Sequence, residues 1–209
     1  PGPVQFDMPS NETMGEAVEA SGEAPLLPNV VPMEPDRSAL RVPLQALSNA
    51  SKPILLAGLG VFWDEASEEL VKLAERLGAP VLTTSKCKGA IPADHPLRAG
   101  CIIGGLIERE LVMQADLIIT IGLDAIELQP KPWPYAIPVI SLANTPTLEA
   151  LVPAQSEMIG NLKTMLAALA EFVPEGSGWG DSAAKSFREQ VTTALDVPTQ
   201  GLSPQGAME

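Results

Sequence analysis

Residues 53–84, PILLAGLGVFWDEASEELVKLAERLGAPVLTT, hold two apolar runs of strand length on either side of one amphipathic helix. Pro53–Ala57 is continuously apolar, as in a strand covered on both faces. Gly58, Leu59 and Gly60 form a tight turn into a helix expected from about Asp64 to Leu77, with Gly78 closing it. On that helix Leu70, Leu73, Ala74 and Leu77 share one face, and Glu65, Glu68, Glu69 and Lys72 take the other. Pro80–Thr84 then reads as a second strand, apolar and β-branched. A strand, glycine turn, helix and strand joined so closely form a right-handed crossover between parallel strands. The expected architecture is therefore an α/β, doubly wound parallel sheet.

Downstream of the second strand the chain runs into residues 79–100, APVLTTSKCKGAIPADHPLRAG, where Gly89, Pro92, Pro96 and Gly100 preclude continued regular structure. An ordered loop is expected there. In doubly wound sheets the loops at the carboxyl ends of strands meet ligands or partner domains. A helix is expected over Leu106–Gln114, a third strand over Asp116–Ile121, a fourth over Ile137–Leu142 and a weak fifth over Glu157–Ile159. Asn161–Phe172 reads as a helix with Leu162, Met165, Leu166 and Leu169 inward, and Trp179–Leu195 as another carrying Phe187 and Val191. Upstream, Pro1–Pro9 resembles a short strand and Ser10–Pro35 an extended arm. Asp36 is placed to cap a helical stretch reaching Ala50, with Pro43 either kinking it or restarting it as a first-turn proline.

Composition narrows the function classes. The chain has 209 residues, a formal net charge of −13 and no cluster of Lys or Arg, so nucleic acid and anionic membrane are poor partners. Only 4% of residues are aromatic, so the core is expected to be Leu, Ile, Val, Ala and Met. Two cysteines, Cys87 and Cys101, and the lack of a signal peptide or a spanning apolar run point to a reducing, cytoplasmic setting. Both ends read as cut from a longer chain: the first residue falls inside PGPVQFDMPS, and Ser203–Pro204 looks like the start of another helix. The expected division is 1–35 for the end of a preceding domain and an arm, 36–174 for the central domain, and 175–209 for a helix and linker.

Few residues suggest chemistry. GLG at Gly58–Gly60 is the turn by which a Rossmann-like strand presents backbone N–H groups to a pyrophosphate. It lacks the third glycine of a dinucleotide fingerprint, and Thr83 and Thr84 stand where a ribose-binding acid would end the second strand. A purely geometric role for the glycines is the leading reading. His95, the sole histidine, reads as a loop-ordering hydrogen-bonder. Cys87 sits between Lys86 and Lys88, which would lower a thiol pKa, although no partner base accompanies it. Asp124 and Glu127 follow the third strand and read foremost as a solvated face. Trp133, among Pro130, Pro132 and Pro134, reads as a packing anchor.

Across these segments the whole chain resembles the central domain of thiamine-diphosphate-dependent enzymes of the acetolactate synthase and benzoylformate decarboxylase kind. PGPVQFDMPSN is similar to the end of their pyrimidine-binding domain, and KPILLAGLGV to the first strand and turn of the central one. LAERLGAPVLTTSKCKGAIPADHPLRAG resembles their second strand and proline loop, ADLIITIGLD their third strand, and GLSPQGAME the start of their diphosphate-binding domain. The resemblance implies a Rossmann-like sheet of six strands, one more than the five visible here, with helices on both faces. It implies a mainly structural domain, not catalytic alone, in an enzyme acting on a 2-oxo acid or acyl donor as decarboxylase or carboligase. Thiamine diphosphate and Mg would be held by the pyrimidine-binding and diphosphate-binding domains of the same chain, in a homodimer or homotetramer. The activating glutamate would precede Pro1 and the Gly-Asp-Gly metal motif would follow Glu209; here Gly180–Asp181 is followed by Ser182.

Some members hold FAD or ADP in this domain, through positions matching Gly58, Leu59, Gly60, Thr83, Thr84, Gly122, Leu123 and Asp124. Leu123 stands where flavin-binding relatives commonly carry Arg, and Cys87 replaces a usual glycine, so both departures argue against flavin. A nucleotide-binding central domain is the first alternative, and an independent nucleotide-binding module of the same fold is the second. For the proline loop the expectation is docking of neighbouring domains, through Lys86, Lys88, His95 and Arg98. No catalytic residue and no metal ligand is expected in the chain itself.

Overall fold

In a computed structural model of the chain, residues 15, 16, 38, 40–104, 107–128, 132–146 and 152–196 are described. The chain divides into two units, 1–31 and 32–209, and of the first only Gly15 and Glu16 are described. The expected first strand, most of the arm, Asp36 and the exit segment from Ser203 therefore lie outside the described residues.

The second unit is an α/β sheet of six parallel strands in the order β3-β2-β1-β4-β5-β6. They are β1 Pro53–Ala57, β2 Val81–Thr83, β3 Arg98–Cys101, β4 Leu117–Ile121, β5 Val139–Ala143 and β6 Ser156–Ile159. Every residue of β1 and of β4 is buried, because these two strands lie at the centre and are covered on both faces. Their register opens at Pro53 opposite Leu117. Just before it, the Asp116 carboxylate accepts the N–H groups of Ser51 and Lys52 at 2.7 and 2.9 Å, which pins the start of both strands.

Strand alternation divides the core in two. Leu55 and Ala57 of β1 face a layer formed by α1 Arg41–Asn49, α3 Ser67–Leu77 and α5 Leu162–Phe172; α2 is the single turn Gly60–Trp63. Ile54 and Leu56 face α4 Ile107–Val112 and α6 Trp179–Leu195. Leu162, Met165, Leu166 and Leu169 are fully buried, as their spacing predicts, and Asn161 caps α5 by accepting the Thr164 N–H at 3.1 Å. Phe187 is buried against the second face, with Val191 partly buried beside it. The Trp179 indole N–H reaches back to the Pro53 carbonyl at 3.0 Å, so α6 is fastened to the start of the central strand.

Three details differ from the sequence reading. The sixth strand is Arg98–Cys101, the tail of what reads as loop: it is an edge strand whose RAGC sequence carries no strand pattern and whose pairing with β2 slips between Val81 and Leu82. The helix expected from Asp64 begins later, as α3 at Ser67; the single turn α2 precedes it, and Glu65, with a φ of 51°, breaks the path between the two. Glu69, placed on the solvent face by spacing, is 8% exposed. Pro43 takes the second of its two expected roles: it lies in the first turn of α1, where no intrahelical N–H is needed.

The proline loop is ordered by consecutive turns. Cys87 N–H donates to Thr84, Ala90 to Cys87, His95 to Pro92 and Arg98 to His95, each onto a carbonyl at 3.0 to 3.1 Å. Cys87, Ala90, Ile91 and Leu97 are turned into the core beneath. From α6 the Arg188 guanidinium donates to the Pro96 carbonyl at 3.0 Å and to that of Arg98, which clamps the loop where it becomes β3.

Candidate functional site at the strand ends

The strand order reverses between β1 and β4, and that crevice is where open α/β sheets bind ligands. Three segments leave the sheet there: Gly58–Gly60 after β1, Thr84 after β2, and Gly122–Glu127 after β4. The glycines are dictated by backbone contact. A Cβ on Gly58 would lie 2.5 Å from the Gly122 carbonyl oxygen, and one on Gly60 would lie 2.8 Å from Gly122 Cα. Gly122 itself sits at φ 59°. The two loops thus lie backbone on backbone.

At their junction stands Glu127, on a short 3-10 turn, Ala125–Glu127. Its Oε2 accepts the Leu59 N–H at 2.9 Å and the Asp124 N–H at 3.0 Å. Its Oε1 accepts the Thr84 hydroxyl at 2.5 Å and shares the Leu59 N–H at 3.1 Å. Thr84 is fully buried, so without Glu127 its hydroxyl would lose this partner inside the core. The solvated-face reading of Glu127 is therefore corrected. Its neighbour Asp124 has its side chain on the local turn, accepting the Ile126 N–H at 3.1 Å.

The turn after β1 has its N–H groups taken from within the chain. Gly58 donates to the Ile121 carbonyl at 2.8 Å, Leu59 to Glu127, Gly60 to the Gly122 carbonyl at 2.9 Å and Val61 to the Gly58 carbonyl at 3.0 Å. A diphosphate, whether from FAD, ADP or thiamine diphosphate, would need those donors, and a carboxylate already fills the anion position. The residues present do not fit such a group. Among the described residues no cluster of three or more His, Cys, Asp or Glu is placed to hold a metal ion.

The structure brings Gly58, Leu59, Gly60, Thr84, Gly122, Leu123 and Asp124 together around Glu127. Thr83 is separate: its hydroxyl faces β3, 3.4 Å from the Gly100 carbonyl and 3.8 Å from Cys101 Sγ. Leu123 is half-buried, with its Cα 2.6 Å from where a Gly58 Cβ would stand.

The loop residues divide as well. Lys86 and Lys88 are exposed. His95 accepts the Leu97 N–H on Nδ1 at 3.2 Å, so Nε2 carries the proton toward Glu75 at 3.3 Å; this is the loop-ordering role its context predicts. Arg98 donates to the Ala93 carbonyl at 3.4 Å. Cys87 is fully buried, and its thiol is pushed up to about 12 by that burial, with the Glu127 and Cys101 charges adding to it. Flanking lysines therefore do not activate it. Trp133 packs edge-to-face on Tyr135, with ring centres 5.0 Å apart, as a packing anchor would.

The chain spans about one third of the length of a curated relative that matches nearly all of it. That relative is the sulfoacetaldehyde acetyltransferase of Alcaligenes xylosoxydans xylosoxydans, 34% identical over 92% of this chain and 33% of its own. A probable acetolactate synthase large subunit of Methanocaldococcus jannaschii is 35% identical over 58% of this chain and 22% of its own. Among solved structures, benzoylformate decarboxylase from Polynucleobacter necessarius superposes with a TM-score of 0.63 at 19% identity, covering 78% of this chain and 32% of that one, which shows a shared fold. Residues 41–169, from the start of α1 into α5, match the family model described as thiamine pyrophosphate enzyme, central domain. That match covers more than half of the 209 residues, and the chain belongs to the thiamine pyrophosphate enzyme central-domain family.

Proposed function

We propose that this chain is the mainly structural central domain of a longer thiamine-diphosphate-dependent enzyme, one that acts on a 2-oxo acid or acyl donor as a carboligase, acyltransferase or decarboxylase. The observation that carries the structural role is the closed strand-end crevice: its donors bond to the chain's own oxygens, so the domain needs no ligand there. The span of relatives such as the acetyltransferase, three times the length of this chain, supports the rest. Thiamine diphosphate and magnesium belong to flanking pyrimidine-binding and diphosphate-binding domains, within a cytoplasmic homodimer or homotetramer. Residues 1–35 lead out of the first, 36–174 form the central domain, and 175–209 lead into the second. Among the described residues no helix is long and apolar enough to cross a membrane.

Exposed Lys86 and Lys88 on the ordered proline loop give a basic docking point to a neighbouring domain or subunit, while His95 and Arg98 brace the loop from within. Isothermal titration of the 209-residue chain with thiamine diphosphate and Mg²⁺, and separately with ADP and FAD, tests the reading. No heat of binding is expected in any of the three. Micromolar thiamine diphosphate binding would overturn the assignment of the cofactor to other domains; micromolar ADP or FAD binding would overturn the structural role.

A further inference from the structure

We propose that the Glu127 carboxylate acts as a tethered anion: it takes the place a phosphate would occupy at the strand-order reversal, and fastens the three strand-end loops without any bound ligand. This rests on the structural reading above and goes beyond it, because it assigns the closure to one side chain. The observation is convergence. Three donors from three separate loops, the N–H groups of Leu59 and Asp124 and the hydroxyl of Thr84, meet on one carboxylate at 2.5 to 3.1 Å. No other side chain in the described crevice accepts from all three loops. Two of these donors lie 68 and 43 positions from Glu127, so the arrangement is tertiary and not a local turn.

The chemistry of such a cradle suits a carboxylate or a phosphate alike, since both offer several acceptor lone pairs and negative charge to neutral donors. Tethering gives the carboxylate a high effective concentration, so free anions do not compete. Truncating Glu127 to Ala leaves the three donors unpartnered and opens space beyond the Cβ. A small free anion of the right chemistry should then restore what the side chain supplied.

The experiment measures thermal unfolding of the 209-residue chain and of its Glu127→Ala and Glu127→Gln variants in sodium formate, sodium phosphate and sodium chloride at matched ionic strength. Glu127→Ala is expected to melt lower than wild type in chloride and, on moving to formate or phosphate, to gain about 2–4 °C more than wild type gains, since the general effect of each salt on burial is common to both. An alanine variant that folds only in formate or phosphate would also support the proposal. Equal salt responses in wild type and alanine variant would overturn it. If the alanine variant folds in no salt, Glu127→Gln decides: its amide N–H₂ faces donors, so it should melt below wild type, and an unchanged Tm would overturn the proposal. ADP binding to wild type would sink the underlying structural reading instead, so the two failures are distinguishable.

Discussion

The Thr84 hydroxyl donates to Glu127 Oε1 at 2.5 Å, joining the ends of β2 and β4, two strands that are not neighbours in the sheet. The bond passes across the end of β1, and Glu127 takes the Leu59 N–H of the intervening turn as well. One carboxylate thereby ties three consecutive strand ends. Hydrogen bonds to charged groups contribute about 1.5–3 kcal/mol each when the partner is withdrawn from water. Thr84→Val should cost about 1–2 kcal/mol in urea denaturation. In a double-mutant cycle with Glu127→Ala, a coupling of at least about 0.5 kcal/mol is expected; additive losses would show that the two side chains act independently.

Gly58→Ala tests the backbone contact. The new methyl would meet the Gly122 carbonyl oxygen at 2.5 Å and Leu123 Cα at 2.6 Å, both main-chain atoms that cannot rotate away. Separation of the two loops would also stretch the Gly58 and Gly60 N–H bonds. The expected loss is about 2–4 kcal/mol, at or above the usual overpacking range. A chemical-denaturation midpoint within error of wild type would contradict the close-approach account of this glycine.

Cys87 gives a pH signature. Burial first, then the Glu127 and Cys101 charges, raise its thiol from 9.0 to about 12, so between those values the folded chain keeps a proton that the unfolded chain has lost. Stability is fully present below pH 9 and falls as pH rises toward 12. Thiol labelling should find partly exposed Cys101 first, with Cys87 labelled only on unfolding. Loosening the strand ends with Glu127→Gln should speed labelling of Cys87 relative to wild type, because the fold that protects the thiol opens more often. Prompt labelling of both thiols in the native protein would contradict the burial.

Arg188 clamps the proline loop to α6. One terminal nitrogen of its guanidinium, Nη1, donates to both the Pro96 and Arg98 carbonyls, a reach that the shorter lysine side chain falls short of. Arg188→Ala is expected to cost about 1–3 kcal/mol and to raise amide exchange over residues 92–101, with Arg188→Lys recovering only part. Unchanged exchange over that segment would show that the loop's own turns hold it.

The central strands and the helical faces were legible in the chain because each depends on a local pattern. PILLA and LIITI are continuous apolar runs, and their residues are buried whichever face they take, so β1 and β4 follow from hydrophobicity alone. Leu162, Met165, Leu166 and Leu169 repeat at helical spacing and are buried together. Arg98–Cys101 carries no such pattern. It is a strand because β2 offers it an open edge and Arg188 holds its approach, conditions set by residues far away in sequence.

The strand-end site divides in the same way. The glycines at 58 and 60 announced a tight turn, and the missing third glycine argued against a dinucleotide; the close approach of Gly122 came only with the fold. Glu127, three positions from Asp124 in a polar stretch, had every mark of a solvated carboxylate. Its role arises from donors at positions 59 and 84, which only the parallel order β2-β1-β4 brings within 3.1 Å of it. A hydrogen bond between distant residues leaves no periodicity behind, and that is why folding alone could turn this carboxylate inward.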